Sequence, residues 1–234
     1  MRARDLLRFG LLVSTLFLLW SIVSKSTDIF KRAENMKYFF GVPTAEEQAN
    51  MNLAKPPKLK HNCNLPSTCP DDHFAFHIKS GVTNVIGPSI CFNGQIIMSG
   101  VKNNIGQGLN IVIANGETGN IEKSAFFNMY NGDPKELLAL LEAIKPGMII
   151  LVATFDDPAT KLTKEIREAF SNLGSTSIKS VKFRDNWVFA GALGTLGMEG
   201  ESPFEKLLKN NKETNVYEGW PSMVEVGGCF PKII

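Results

Sequence analysis

The chain has 234 residues, 25 of them Lys or Arg and 23 Asp or Glu, for a formal charge of +2, and 44% of them are hydrophobic. This composition excludes a disordered chain, a collagen and a coiled coil, and fits one globular domain with short appendages. The near balance of charge supplies no long-range field and no basic patch stands out along the sequence, so nucleic acid is not an expected partner.

Arg2, Arg4 and Arg8 precede an apolar run from Phe9 to Val23, the order of an export signal. The run is shorter than the roughly 20 residues a spanning helix needs, which favours a cleaved signal peptide over residues 1–25. A retained Golgi type II anchor is the alternative. No second apolar stretch approaches spanning length, so no stable membrane insertion is expected after cleavage. Residues 26–60 are polar and end in Lys55-Pro-Pro-Lys58, where two prolines forbid regular hydrogen-bonded structure, so they read as a flexible linker. The folded domain is assigned to residues 61–234.

Within it, Phe74, Phe76 and Ile78 alternate with polar neighbours as a half-buried strand does. Ile90–Phe92 and Gln95–Met98 flank Asn93-Gly94, a strong hairpin signal. Leu109–Ala114 and Ile121–Phe127 flank a longer turn. Asp133-Pro134 supplies an N-cap and first-turn proline for a helix carrying Leu137, Leu140, Leu141 and Ile144 on one stripe. The apolar run Met148–Thr154 predicts a strand buried in the middle of a sheet. Thr163 opens a second helix that Gly174 closes. Val181–Phe183 and Trp187–Ala190 read as strands, and Ser202-Pro203-Phe204-Glu205 reads as a capping box launching a short helix through Leu208. Local hairpins and outnumbered helices predict an α+β domain of antiparallel or mixed sheets with helices packed outside.

An exported chain with Cys63, Cys69, Cys91 and Cys229 is expected to carry two disulfides, and the sequence alone permits three pairings. His61, Cys63, Cys69, His73 and His77 are crowded enough to test as a zinc site. Their spacing does not match the Cys2His2 pattern, and strand geometry sets His73 and His77 about 13 Å apart. No metal is expected.

Catalytic patterns are equally absent. There is no Gly-x-Ser-x-Gly elbow, the histidines fall between positions 61 and 77, and every cysteine is expected to be oxidised. Gly106-Gln107-Gly108 begins like a dinucleotide loop, but Ile111 stands where the third glycine belongs and a strand follows where a helix is needed. Asp156 and Asp157 are neighbours whose side chains point to opposite faces, so they form no acid/base dyad. An enzyme is not expected, and no cofactor is implied.

Cys63-x5-Cys69-Pro70, His73-Phe-Ala-Phe76, Val101-Lys-Asn-Asn104, Phe155-Asp-Asp157, Phe183-Arg-Asp185, Trp187-Val-Phe189, Tyr217-Glu-Gly-Trp-Pro221 and Gly228-Cys229 closely resemble a cytokine-like family. That family includes interleukin-like epithelial-mesenchymal transition inducer and pancreatic-derived factor. The resemblance implies a secreted signalling protein that acts through a cell-surface receptor, a fold of two twisted, mainly antiparallel β-sheets, sandwich-like, with flanking helices, and the pairing Cys63 with Cys91 and Cys69 with Cys229. It also implies a GG-type lectin domain, similar to the stem domain of a glycosyltransferase acting on O-mannose glycans, so a glycan is a second candidate partner. The sugar-holding positions carry over to Gln107, Asp157 and Arg184. A carboxylate and a guanidinium suit sugar hydroxyls, whereas Gln107 replaces an arginine and lacks its charge and fork. Some members have a cysteine two residues after Trp-Val where this chain has Ala190, so no disulfide-linked dimer is expected.

Overall fold

The alternation read at positions 73–79 is borne out as strand β1 (His73–Lys79) of a computed structural model that describes residues 15, 20, 62–193 and 204–233. The chain divides into two units, Met1–Lys58 and Leu59–Ile234. In the first, Thr15 and Trp20 are helical and exposed. Apart from these two residues, the signal segment and linker lie outside the described residues, as do His61 and the Ser202-Pro203 start of the expected third helix.

In the second unit, β1 pairs antiparallel with β2 (Ser89–Phe92), which turns at Asn93-Gly94 into β3 (Gln95–Met98). Both turn residues have positive φ, 48° and 74°, the backbone that an Asn-Gly hairpin requires. The other edge of this four-stranded sheet is β11 (Glu225–Pro231), so its order is β11-β1-β2-β3.

The second sheet is built from β4 (Gly108–Asn115), β5 (Ile121–Phe127), β6 (Met148–Phe155), β7 (Asn186–Ala192) and β8 (Phe204–Leu208). Its order is β5-β4-β6-β7-β8, with every pairing antiparallel, and β6 lies in the middle as its apolar run predicts. A two-stranded ribbon joins β9 (Asn215–Tyr217) to β10 (Trp220–Pro221).

The core explains the layering. Phe74, Phe76, Ile78, Ile90, Phe92 and Phe230 of the four-stranded sheet pack on Val112, Ile149, Leu151, Ala153 and Val188 of the five-stranded sheet. The opposite face of that second sheet, with Ile111, Ile113, Ile150, Val152, Trp187 and Phe189, packs on two helices. These are α1 (Pro134–Glu142), capped by Asp133, and α2 (Lys164–Asn172), capped by Thr163, both as the sequence predicts. The result is three layers, sheet on sheet on helices.

Both disulfides form, Cys63–Cys91 and Cys69–Cys229, which selects one of the three pairings and consumes the cysteines of the zinc set. They anchor residues 63–69 to β2 and β11, which flank β1. On the same face His77 Nε2 lies 3.3 Å and Lys79 Nζ 3.1 Å from Glu225 Oε2. The Lys79 ammonium holds the Glu225 carboxyl below its ordinary value. His73 Nδ1 lies 2.7 Å from Asp72 Oδ1.

Two local expectations are corrected. Val181–Phe183 is not a strand but the approach to a turn, because Asp185 Oδ2 accepts from Lys182 N at 2.8 Å and bends the segment. Phe204–Leu208 is not helical: its apolar spacing of three and four suits either structure, and pairing with β7 decides for strand β8.

Candidate functional site

Four turns converge at one end of the five-stranded sheet. The first precedes β4, where Asn110 clasps Gly106: Gly106 N donates to Asn110 Oδ1 at 2.9 Å, and Asn110 Nδ2 donates to Gly106 O at 2.8 Å. Gly108 follows at φ +99°, where a Cβ would meet Phe127 O at 2.1 Å, so only glycine turns the chain into β4. Gln107 is thereby held exposed between them.

The second turn follows β6. Asp156 takes the left-handed conformation at φ 60°, uncommon for a residue with a side chain. Its carboxylate accepts from Gln107 Nε2 at 3.0 Å and from Trp220 Nε1 at 3.3 Å, and lies 3.8 Å from Arg184 Nε. Arg184, at the third turn, is also left-handed at φ 59°. Its guanidinium carbon stacks 3.8 Å from the Trp220 ring centroid and 4.9 Å from that of Phe183. At the fourth turn Gly219 (φ +79°) precedes Trp220, and a Cβ there would lie 3.0 Å from Arg184 Nη1.

Gln107 and Arg184 are therefore brought together through Asp156, while Asp157 is not part of that group. Asp157 is 2% exposed, and its Oδ1 accepts from Ala159 N at 2.9 Å and Thr160 N at 3.2 Å, ordering the loop that leads to α2. Its Oδ2 is buried without a hydrogen-bond partner, as is Arg184 Nε. Sequence reasoning missed Asp156 and Trp220 as members of the group. The opposite-face argument for adjacent acids implies that only one of Asp156 and Asp157 can face Arg184, and the Gly219-Trp220 step marks a turn that can present an indole.

The group joins a guanidinium, a carboxylate, an amide and an indole. It offers charge-assisted hydrogen bonding beside an aromatic face, with no histidine, thiol or activated hydroxyl among its contacts with the described residues. A separate cleft of about 320 Å³ beside Cys69 is lined by Asn62, Thr68, Pro70, Phe74, Asn93 and Thr118, and by none of Gln107, Asp157 or Arg184.

The family model described as "Interleukin-like EMT inducer" matches residues 107–195, a span that holds β4 through β7 and the Gln107, Asp156 and Arg184 turns. Among curated relatives, zebrafish (Danio rerio) Protein FAM3C is 45% identical over 243 residues, covering 99% of this chain and 98% of the relative. The chain belongs to the interleukin-like EMT inducer family. Mouse (Mus musculus) Protein FAM3D is 42% identical over 232 residues, covering 99% of each chain. Human Protein FAM3C is 49% identical over 178 residues, 76% of each. In this member of the interleukin-like EMT inducer family, the matched span carries three of the four converging turns, and the ribbon β9–β10 supplies Trp220 from outside it.

Proposed function

We propose that the protein is a secreted, cytokine-like ligand that acts through a cell-surface receptor. Membership of the interleukin-like EMT inducer family carries this reading. The signal-like N-terminus and the two disulfides of an oxidising compartment support it. The guanidinium, amide and indole that surround the Asp156 carboxylate suit hydrogen bonding and stacking, which fits recognition. Purified mature protein added to responsive cells is expected to bind saturably and to be displaced by unlabelled protein. Binding that rises linearly without saturation sinks the reading.

A second reading is favoured by one observation, the Gln107, Asp156, Arg184 and Trp220 group. It is that of a carbohydrate-binding module, soluble or Golgi-anchored, in which Arg184 and Asp156 hold sugar hydroxyls and the indole offers a ring face. On a glycan array this reading predicts a discrete hit, with Arg184→Ala weakening it by about tenfold or more, the worth of one charge-assisted hydrogen bond. An unchanged hit in Arg184→Ala removes the group from sugar binding.

The protein is expected to run as a monomer on a non-reducing gel. All four cysteines are engaged within the chain, and Ala190, 2% exposed in β7, offers no thiol. A reductant-sensitive dimer band contradicts this.

A further inference from the structure

Folding assembles a basic surface that the linear sequence conceals. The β7–β8 register sets Asn186 opposite Leu208, which lays the turn before β7 beside the turn after β8. Lys209 Nζ donates to Ser180 O and lies 3.3 Å from Asp185 Oδ2. Asn210 N donates to Asp185 Oδ1 at 2.7 Å, and Asn210 Nδ2 to Phe183 O at 3.3 Å. From α2, Arg167 Nη1 donates to Ile178 O. Arg167, Lys179, Lys182, Arg184, Lys209 and Lys212 are thus drawn from three separate stretches to one region.

The acids of the same stretches keep their charge, but Asp185 and Glu205 are turned inward, and on α2 the exposed Glu165 and Glu168 flank Arg167. Asp185 is 1% exposed, with both oxygens occupied by Lys182 N, Asn210 N and Lys209. Both oxygens of Glu205, on the strand leading to Lys209, are occupied by donors from residues 175–177 and Trp187. Glu168 is 3.7 Å from Lys164 on its own helix. Asp156 pairs with Arg184 at 3.8 Å and Asp185 with Lys209 at 3.3 Å, which leaves Lys179, Lys182 and Lys212 as the cations of the patch without a partner among the described residues. Glu213 is the exposed acid left within the two turns, and Glu218 is the next along the chain. Lys179, Lys182 and Lys212 are exposed, and their side chains make no hydrogen bond or ion pair among the described residues.

We propose that this surface docks a linear sulfated polysaccharide. Several mobile ammonium groups spread over two turns match a repeating anion better than one compact phosphate, since each lysine acts as a point charge without a fixed fork. Phe183, 47% exposed beside Arg184, adds an apolar face on which a sugar ring can lie. Lysine-to-polyanion contacts gain affinity by releasing counterions, so binding is salt-dependent and scales with the number of cations engaged. The choice of a cell-surface polysaccharide among polyanions rests on the export reading, while the charge assembly does not.

The test compares mature wild-type protein on immobilised heparin and on a sulfopropyl exchanger. Two triple variants accompany it, Lys179→Gln/Lys182→Gln/Lys212→Gln in the patch and Lys123→Gln/Lys135→Gln/Lys145→Gln as a control of equal net charge on exposed positions. Wild type is expected to elute from heparin at higher salt than from the exchanger. The patch variant is expected to bind heparin about tenfold or more weakly, with the control near wild type. Arg184 is kept intact in both, so the outcome is independent of the neutral-sugar reading. Equal losses in both variants, equal elution of wild type from the two resins, or tighter retention on immobilised DNA than on heparin each overturns the proposal. Near-ultraviolet circular dichroism confirms that both variants remain folded.

Discussion

Replacing Cys69 and Cys229 together by serine is expected to lower stability by about 5 kcal/mol, against about 3.5 kcal/mol for the Cys63 and Cys91 pair, in the chain-entropy account of cross-links. The difference follows from sequence separation, 160 residues for the first bond and 28 for the second. Structure adds a second reason. The register sets Cys229 opposite Ala75 on one side of β1 and Cys91 opposite His77 on the other, so the two bonds strap residues 63–69 across the sheet. Leu65 lies over Gly227 of β11, where a Cβ would meet its Cδ2 at 3.0 Å. Without Cys69–Cys229 the segment keeps only the Cys63 cross-link, and edge strand β11 loses its covalent tie to the start of the domain, keeping its ladder to β1 and the packing of Phe230 in the core. For a domain of this size each kcal/mol moves the melting temperature by about 2–4 °C, so a fall of roughly 10–20 °C is expected in thermal unfolding. A smaller fall than in the Cys63→Ser/Cys91→Ser variant would falsify this ranking.

Much of the fold is legible in the sequence where one short-range rule governs. Asn93-Gly94 fixes a hairpin, Asp133 and Thr163 cap helices, and the Met148–Thr154 run reads as a central strand because both faces of β6 are covered. Legibility ends where long-range partners decide. Strand β11 carries its inward alternation on Val226, Gly228 and Phe230, and a glycine at its middle position weakens the period-two signal. In β8 the order Phe-Glu-Lys-Leu-Leu is ambiguous until β7 pairs with it. At the candidate site Gln107, Asp157 and Arg184 are positions that the family resemblance carries over, and the carboxylate that joins Gln107 to Arg184 is instead that of Asp156, set by a left-handed backbone that no periodicity encodes. Trp220 arrives from a ribbon 64 residues away along the chain. The basic surface is hidden for the same reason: balanced charge along the chain says nothing about which acids are consumed internally.

Glu205 makes the last point quantitatively. In sequence, Ser202-Pro-Phe-Glu205 has the form of a capping box, and the glutamate does cap, but it caps a different segment. From β8 its Oε2 accepts from Thr176 N at 2.9 Å, Thr176 Oγ1 at 2.9 Å and Ser177 N at 3.0 Å. Its Oε1 accepts from Ser175 Oγ and from Trp187 Nε1 at 2.7 Å. One carboxylate thus satisfies the start of the 3-10 turn Ile178–Ser180 and the indole of Trp187, a fully buried ring stacked on Phe189 and edge-on to Phe170. Glu205→Ala leaves the buried indole N–H and the Ser175 hydroxyl without this acceptor. The expected loss is about 3–5 kcal/mol, since stranded buried donors cost about 1–3 kcal/mol each and bonds to a charged acceptor are the strong ones. Glu205→Gln keeps the shape but turns one acceptor into a donor that faces donors, so about 1–2 kcal/mol is expected. Denaturant unfolding followed by tryptophan fluorescence reads both losses. The ranking Ala worse than Gln, and Gln worse than wild type, follows from acceptor count. A Glu205→Gln variant as stable as wild type would mean that the carboxylate fills space at this position and does not fasten the β8 edge to the helical layer.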